Sequence, residues 1–218
     1  MTMMRRAITA LCVPALALAL APSASARISE IGFSSSSATP ACPSSPCLAV
    51  SRTSGYQAKT STSRGPDTIP RDGRIVAWSI TLGKPNKKQT TFFNTNEGGP
   101  ASAQITILRP RKKLFYQVMA VSPVVQLQSY FGQTTQFPLD TTIPVKKGWV
   151  VALTVPTWAP ALAIGFSNST SWRASRQKKQ CNNTTQQTAQ QRVGQNTQYF
   201  CLYKTARLTF TATLISTP

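Results

Sequence analysis

Apolar side chains fall on alternate positions across residues 74–82: Val76, Trp78, Ile80 and Leu82 are separated by smaller or polar neighbours. A period of two predicts a half-buried strand, because successive side chains leave opposite faces of the pleat. Ala103, Ile105 and Ile107 repeat the pattern, followed by Leu114, Tyr116, Val118 and Ala120, and by Val125 and Leu127. Residues 149–155 and 161–166 are further apolar runs. Near the start, 48–50 and 56–58 predict two short strands. The chain closes on Leu208, Phe210, Ala212 and Leu214, which alternate with Thr209, Thr211 and Thr213; threonine in those slots suits an exposed pleated face. Gly83-Lys84-Pro85-Asn86, Glu97-Gly98-Gly99-Pro100, Ser122-Pro123, Lys146-Lys147-Gly148 and Pro156 read as turns between the runs. No window carries a helical period. Many short strands with Gly/Pro turns predict an all-β fold, a β-sandwich with the jelly roll as the preferred form.

The first residues follow another logic. Arg5 and Arg6 precede an apolar run at 7–21, and Ala24-Ser25-Ala26 then places small residues at a cleavage site. This predicts a signal peptide at 1–26 and a mature N-terminus at Arg27. The apolar run is about 15 residues, short of the roughly 20 that span a membrane, and no later run reaches that length. Arg5-Arg6 leaves twin-arginine export open beside an ordinary n-region. Residues 27–46, with Ser34–Ser37 in a row, predict a flexible Ser/Pro-rich segment. Residues 47–218 predict one β-sandwich domain, interrupted by a polar excursion at 167–198 dense in Gln, Asn, Thr and Ser. So long an excursion predicts a functional loop or an ordered flap. Asn168, Asn182 and Asn183 each begin a three-residue match to a glycosylation acceptor.

Cysteine and charge narrow the class. Cys12 leaves with the signal, and Cys42, Cys47, Cys181 and Cys201 remain. An even number in an exported chain predicts disulfides. The preferred pairing is Cys42–Cys47 around a Pro-rich turn, with Cys181–Cys201 closing the excursion. The formal net charge is +19, with Glu30, Asp67, Asp72, Glu97 and Asp140 as the only acids. Such a balance attracts polyanions or anionic surfaces.

Histidine is absent, which excludes Ser-His-Asp and Cys-His catalysis and histidine metal sites. Asp67 with Asp72, or Glu97 with Asp140, could form a carboxylate pair, but Asp67 and Asp72 sit in Gly/Pro turns where Asp serves backbone geometry. No Gly-rich phosphate loop is present, no metal or cofactor is implied, and no catalytic residue is singled out. The basic residues cluster in predicted turns: Lys84, Lys87 and Lys88; Arg109, Arg111, Lys112 and Lys113; Lys146 and Lys147; Arg173, Arg176, Lys178 and Lys179. Phe115 or Tyr116 should be exposed, since strand neighbours alternate, and Trp172 beside Arg173 offers a further stacking surface. If strands 75–82, 103–108, 114–121, 124–130, 137–145 and 149–155 each span the sandwich, Lys84, Lys87, Lys88, Lys146 and Lys147 share one pole and 109–113 lies at the other.

The segment FPLDTTIPVKKGWVVAL resembles the I-x-V-x-x-G-D-x-I-x-L hairpin of secreted bacterial jelly-roll proteins, some of them carbohydrate-binding-like modules. Upstream, GRIVAWSI and AQITILRP resemble their first core strands, so the likeness covers roughly residues 73–165. Trp149 stands where an acidic residue is common in that hairpin, so no cation site carries over. The resemblance implies a fold and an extracellular location and no activity. The expectation is an exported, non-enzymatic binding or structural module that attaches to an anionic cell-envelope polymer or polysaccharide. It would bind through Lys84, Lys87, Lys88, Lys146, Lys147, Trp172 and Arg173, with nucleic acid the weaker partner. The alternatives are a polymer hydrolase using carboxylates or a Ser–Lys pair, and a subunit of an extracellular assembly.

Overall fold

The computed structural model describes residues 26–32 and 38–216. Residues 1–25, with Cys12, and the Ser34–Ser37 run lie outside the described residues. The strands in chain order are β1 (Ile28–Ile31), β2 (Val50–Thr60), β3 (Ser63–Arg64), β4 (Gly73–Thr81), β5 (Ser102–Pro110), β6 (Phe115–Val121), β7 (Val125–Gln126) and β8 (Thr134–Val145). They continue as β9 (Val150–Ala159), β10 (Leu162–Ile164), β11 (Ser171–Ala174), β12 (Asn196–Gln198), β13 (Cys201–Lys204), β14 (Ala206–Leu208) and β15 (Phe210–Ser216). A helix, α1 (Lys87–Asn96), lies between β4 and β5.

These strands build an all-β sandwich of antiparallel sheets. One sheet has the order β1-β15-β4-β8. The longer sheet runs β12-β6-β5-β9-β2-β11-β13, with β3 on β2 and β7 on β5, and β10 pairs with β14. Between the sheets lies a shared apolar core: Ile75, Trp78 and Ile80 from β4, Ile105 and Ile107 from β5, Leu153 and Val155 from β9, and Leu214 from β15. Alternation delivers these side chains inward, with one change of phase. Ile75 and Ala77 are buried while Val76 is half-buried, because a bulge interrupts the β4–β8 ladder between Ile75 and Ala77.

The polar excursion is the ordered flap. It supplies β11 and β12 and lays residues 175–190 across the outer face of the long sheet. Central strands are therefore covered on both faces, and their outward positions carry hydroxyls and amides. Thr154 shares hydrogen bonds with Ser54 and Thr106, each at 2.6 Å. Gln190 N donates to Ser54 Oγ at 2.8 Å, and Ser175 Oγ donates to Thr188 O at 2.7 Å. A buried polar group is tolerated only when partnered, so this ladder fixes where the flap docks. The disulfides Cys42–Cys47 and Cys181–Cys201 both form as expected. The second closes a separation of 20 residues, which by loop entropy contributes roughly 3 kcal/mol. Replacing Cys181 and Cys201 with serine should lower stability by about that amount in urea unfolding.

Several elements depart from the sequence reading. The segment expected to be loose contributes β1, which pairs Ile28–Ile31 with the C-terminal strand, and Ala41 N donates to Leu162 O at 2.8 Å. Of two expected short strands, 48–50 and 56–58, the second lies inside one long strand, β2, which begins only at Val50 and leaves Leu48 and Ala49 outside it. Thr209 and Thr213 are buried, not exposed; Thr213 donates to Glu30 and Thr209 to the Thr81 carbonyl. Strand 124–130 shrinks to the two residues of β7 and a single turn of 3-10 helix at Gln128–Tyr130. Helix α1 was not expected. It buries no residue of its own, so it leaves no apolar stripe in the sequence. What holds it is a capping box: Gln89 N donates to Asn86 Oδ1 and Asn86 N donates to Gln89 Oε1, both at 2.9 Å. Phe93 adds one stacked contact on Trp158 at 4.7 Å. Asn86→Ala should cost about 1 kcal/mol, read as a lowered urea midpoint.

Candidate anion-binding surface

The predicted shared lysine pole is corrected by the β4–β8 register. Gly73 pairs with Val145, and Thr81 pairs with Thr134. Lys84, Lys87 and Lys88 follow Thr81, while Lys146 and Lys147 follow Val145. The two groups lie at opposite ends of a nine-residue strand, roughly 27 Å apart. The cause is the shortened β7: the chain stays at the Thr81 end from Val121 to Thr134, so one crossing is missing. Gly132 confirms the placement, since its N–H donates to Gly83 O. Lys87 and Lys88 are also not turn residues but open α1, where a helix N-terminus disfavours cations.

The same correction brings other cations together. In the β5–β9 ladder Leu108 pairs with Val150, so Arg109, Arg111, Lys112 and Lys113 lie at the Lys146/Lys147 end, not opposite it. Lys59 pairs with Arg64 beside the bridge from Thr68 to Val150. Arg71 precedes Gly73. Arg27 O accepts from Ser216 N, and Ser216 pairs with Gly73. Strand ends from both sheets thus crowd one pole with exposed cations: Arg27, Arg64, Arg71, Arg109, Arg111, Lys112, Lys113, Lys146 and Lys147. An exposed carboxylate at this end is Asp72, whose Oδ1 accepts the Lys147 N–H at 2.7 Å. Asp72 is exposed and Asp67 at this end is buried, so most of this charge has no local partner, and the like charges repel over distances that salt screens.

Trp172 and Arg173 do not form one site. They are neighbours in β11 and leave opposite faces. Trp172 is 5% exposed and stacks on Tyr203 at 4.6 Å, so the exposed stacking role expected of it is corrected. Arg173 Nη1 donates to Phe200 O at 2.9 Å. Phe115 is the exposed member of its pair; Tyr116 shares a 2.7 Å hydrogen bond with the Tyr56 hydroxyl.

The candidate carboxylates have separate surroundings. Glu97 pairs with Arg52 at 3.6 Å. Asp140 is exposed on β8, at a cleft of about 580 Å³ lined by Trp78, Val125 and Phe137. Asp67 is buried, accepts from Gln57 N at 2.6 Å, and has its carboxyl pushed up to about 7 by burial. Asp72 lies on the surface, engaged by the Lys147 N–H. Among the described residues no helix is long and apolar enough to cross a membrane.

Comparison with protein families, with curated proteins and with solved structures finds no match to this chain. The pole of basic strand ends therefore has to be interpreted from its own chemistry. The residues that sequence reasoning assigned elsewhere, Arg109 to Lys113, were legible as a basic run. Their position depended on counting the strands that cross the sandwich.

Proposed function

We propose that this protein is an exported, non-enzymatic binding module that attaches to an anionic cell-envelope polymer or polysaccharide through its basic pole. The observation that carries the reading is the convergence of Arg27, Arg64, Arg71, Arg109–Lys113 and Lys146/Lys147 on one end, with Asp72 as the acid among them. Flexible lysines and arginines on loops suit a polymer whose charges repeat along a chain, because no single geometry has to be met. Engaging several charges releases the counterions condensed on the polymer, so affinity should fall steeply with salt. Two disulfides and a signal-like start accord with work outside the cytoplasm. The test is retention of the protein on polygalacturonate and on its neutral methyl ester, at about 50 mM and about 200 mM salt. Binding to the acid form at low salt, lost at high salt and absent on the ester, supports the reading. Equal retention on both forms overturns it.

A further inference from the structure

A second cleft, of about 440 Å³, opens where β11, β13 and the chain entering β2 meet the β10–β14 pair. Its walls are largely apolar: Leu48, Leu162, Ile164 and the Trp172–Tyr203 stack. One buried cation stands among them. Arg176 is 4% exposed, with Nη1 donating to Tyr203 Oη and Nη2 to Ser51 O, each at 2.9 Å. Its Nε–H has no hydrogen-bond partner, and among the described residues no carboxylate lies within ion-pair reach. The Trp172 Nε1–H, from a residue lining the same cleft, is buried without a partner as well.

Buried charges are ordinarily paired, and buried donors are ordinarily bonded. Here two unpartnered donors and one uncompensated positive charge belong to neighbouring residues of a cleft of ligand-binding size. Apolar walls with a few convergent polar groups are the usual make-up of a small-ligand site. Lys204 adds an exposed charge at the rim, beside Asn182 and Thr184. The geometry points to a subsite for one carboxylated sugar unit, its carboxylate taken by Arg176 and the Trp172 N–H and its ring lying against the apolar walls. A sugar ring fits better than a flexible phosphodiester because its C–H faces match the aliphatic and aromatic walls. Both nitrogens are out of contact with solvent, so binding needs side-chain movement of the kind common at binding sites. The inference rests on the proposed reading in that the unit would belong to the acidic polysaccharide held by the basic pole.

The test is titration with digalacturonate, with its dimethyl ester and with glycerol phosphate, followed by calorimetry and by the NMR signal of the Trp172 indole N–H. Saturable binding of digalacturonate alone, with a shift of that signal, is expected. Trp172→Phe keeps an aromatic ring on Tyr203 and should weaken binding roughly tenfold, since a hydrogen bond to a charged group is lost. Arg176→Met removes the charge but also two structural hydrogen bonds. Thr184→Trp, on the exposed rim, is therefore the variant that should block the cleft in a folded protein. Glutamine at the six residues Arg109, Arg111, Lys112, Lys113, Lys146 and Lys147 should leave digalacturonate binding unchanged while most polymer retention is lost. Failure of the cleft is thereby distinguished from failure of the pole. No saturable binding, equal binding of the ester, binding of glycerol phosphate alone, or binding that survives both Thr184→Trp and Trp172→Phe overturns the subsite. So does loss of digalacturonate binding in the six-residue variant.

Discussion

Glutamine at Arg109, Arg111, Lys112, Lys113, Lys146 and Lys147 together is expected to remove most of the retention on polygalacturonate at about 50 mM salt, whereas glutamine at Lys84, Lys87 and Lys88 should leave it largely intact. The contrast follows from the β4–β8 and β5–β9 registers, which place the six on one pole and the three on the other. Only charges that reach the polymer together contribute to counterion release. For a ligand as densely charged as duplex DNA, six contacts correspond to about a thousand-fold loss of affinity between 50 and 200 mM salt. A uronate polymer carries its charge more sparsely, so its slope should be shallower with the same sign. Removing the six should leave the residual slope of Arg27, Lys59, Arg64 and Arg71. A retention profile that responds to the Lys84 group and ignores the six would put the site at the other pole. A salt-independent profile would remove electrostatics from the mechanism.

These variants leave the fold largely untouched. Arg109, Arg111, Lys112, Lys113, Lys146 and Lys147 are all exposed. Arg111 donates to Gln117, a surface contact worth little. The Lys147 contact with Asp72 is made by its backbone N–H and survives any side-chain change. A drop in retention therefore reports on binding, and near-equal urea midpoints would check that the strands remain in place.

Period-two patterning encodes strands that bury a single face. Strands β4, β5, β6 and β9 bury one apolar face each, so alternation marks them, and Gly/Pro turns mark where they stop. Patterning fails where burial is two-sided or absent. In β5 and β9 the outward face is also covered, with Thr106 Oγ1 donating to Gln190 O of the flap, and Thr106 and Thr154 look solvent-facing until the flap is in place. Helix α1 buries nothing, so only the Asn86-x-x-Gln89 cap could have announced it, a weak four-residue signal. The polar site suffered from a different cause. Each basic run was visible, but their grouping depended on the number of sheet crossings between them. The shortening of one strand to Val125–Gln126 exchanged the poles. Arg176 and Tyr203 lie far apart in sequence and meet only because β11 and β13 pair, with Ser171 opposite Lys204.

Asp67 supplies the second large expected effect, a fall in stability as pH rises from about 4 to about 7. The Gly65-Pro66-Asp67 stretch reads as a turn, yet its carboxyl lies inside the protein. Oδ2 accepts the Gln57 N–H of β2 at 2.6 Å, and the Asp67 carbonyl accepts the Val151 N–H of β9 at 3.0 Å. Burial raises the carboxyl to about 7 from an ordinary 3.8; the Gln57 N–H and the nearby Arg207 charge pull the other way and only partly offset it. Below the ordinary value the group is protonated whether folded or unfolded, and the full contribution is present. Between 3.8 and 7 the unfolded chain has released its proton while the folded one keeps it, so each step up in pH favours unfolding. Above 7 both states are ionised and the loss is complete, at roughly 4 kcal/mol. Asp67→Asn keeps an oxygen for the Gln57 N–H and cannot ionise. Its urea midpoint should be flat relative to the parent's across that window, and at pH 8 the variant should be the more stable of the two. The parent-minus-variant difference cancels the titration of Glu30, Asp72, Glu97 and Asp140, which both proteins share. A parent that gains stability over the variant between pH 4 and pH 8 would mean that Arg207 holds the carboxylate ionised in the folded protein, reversing the sign.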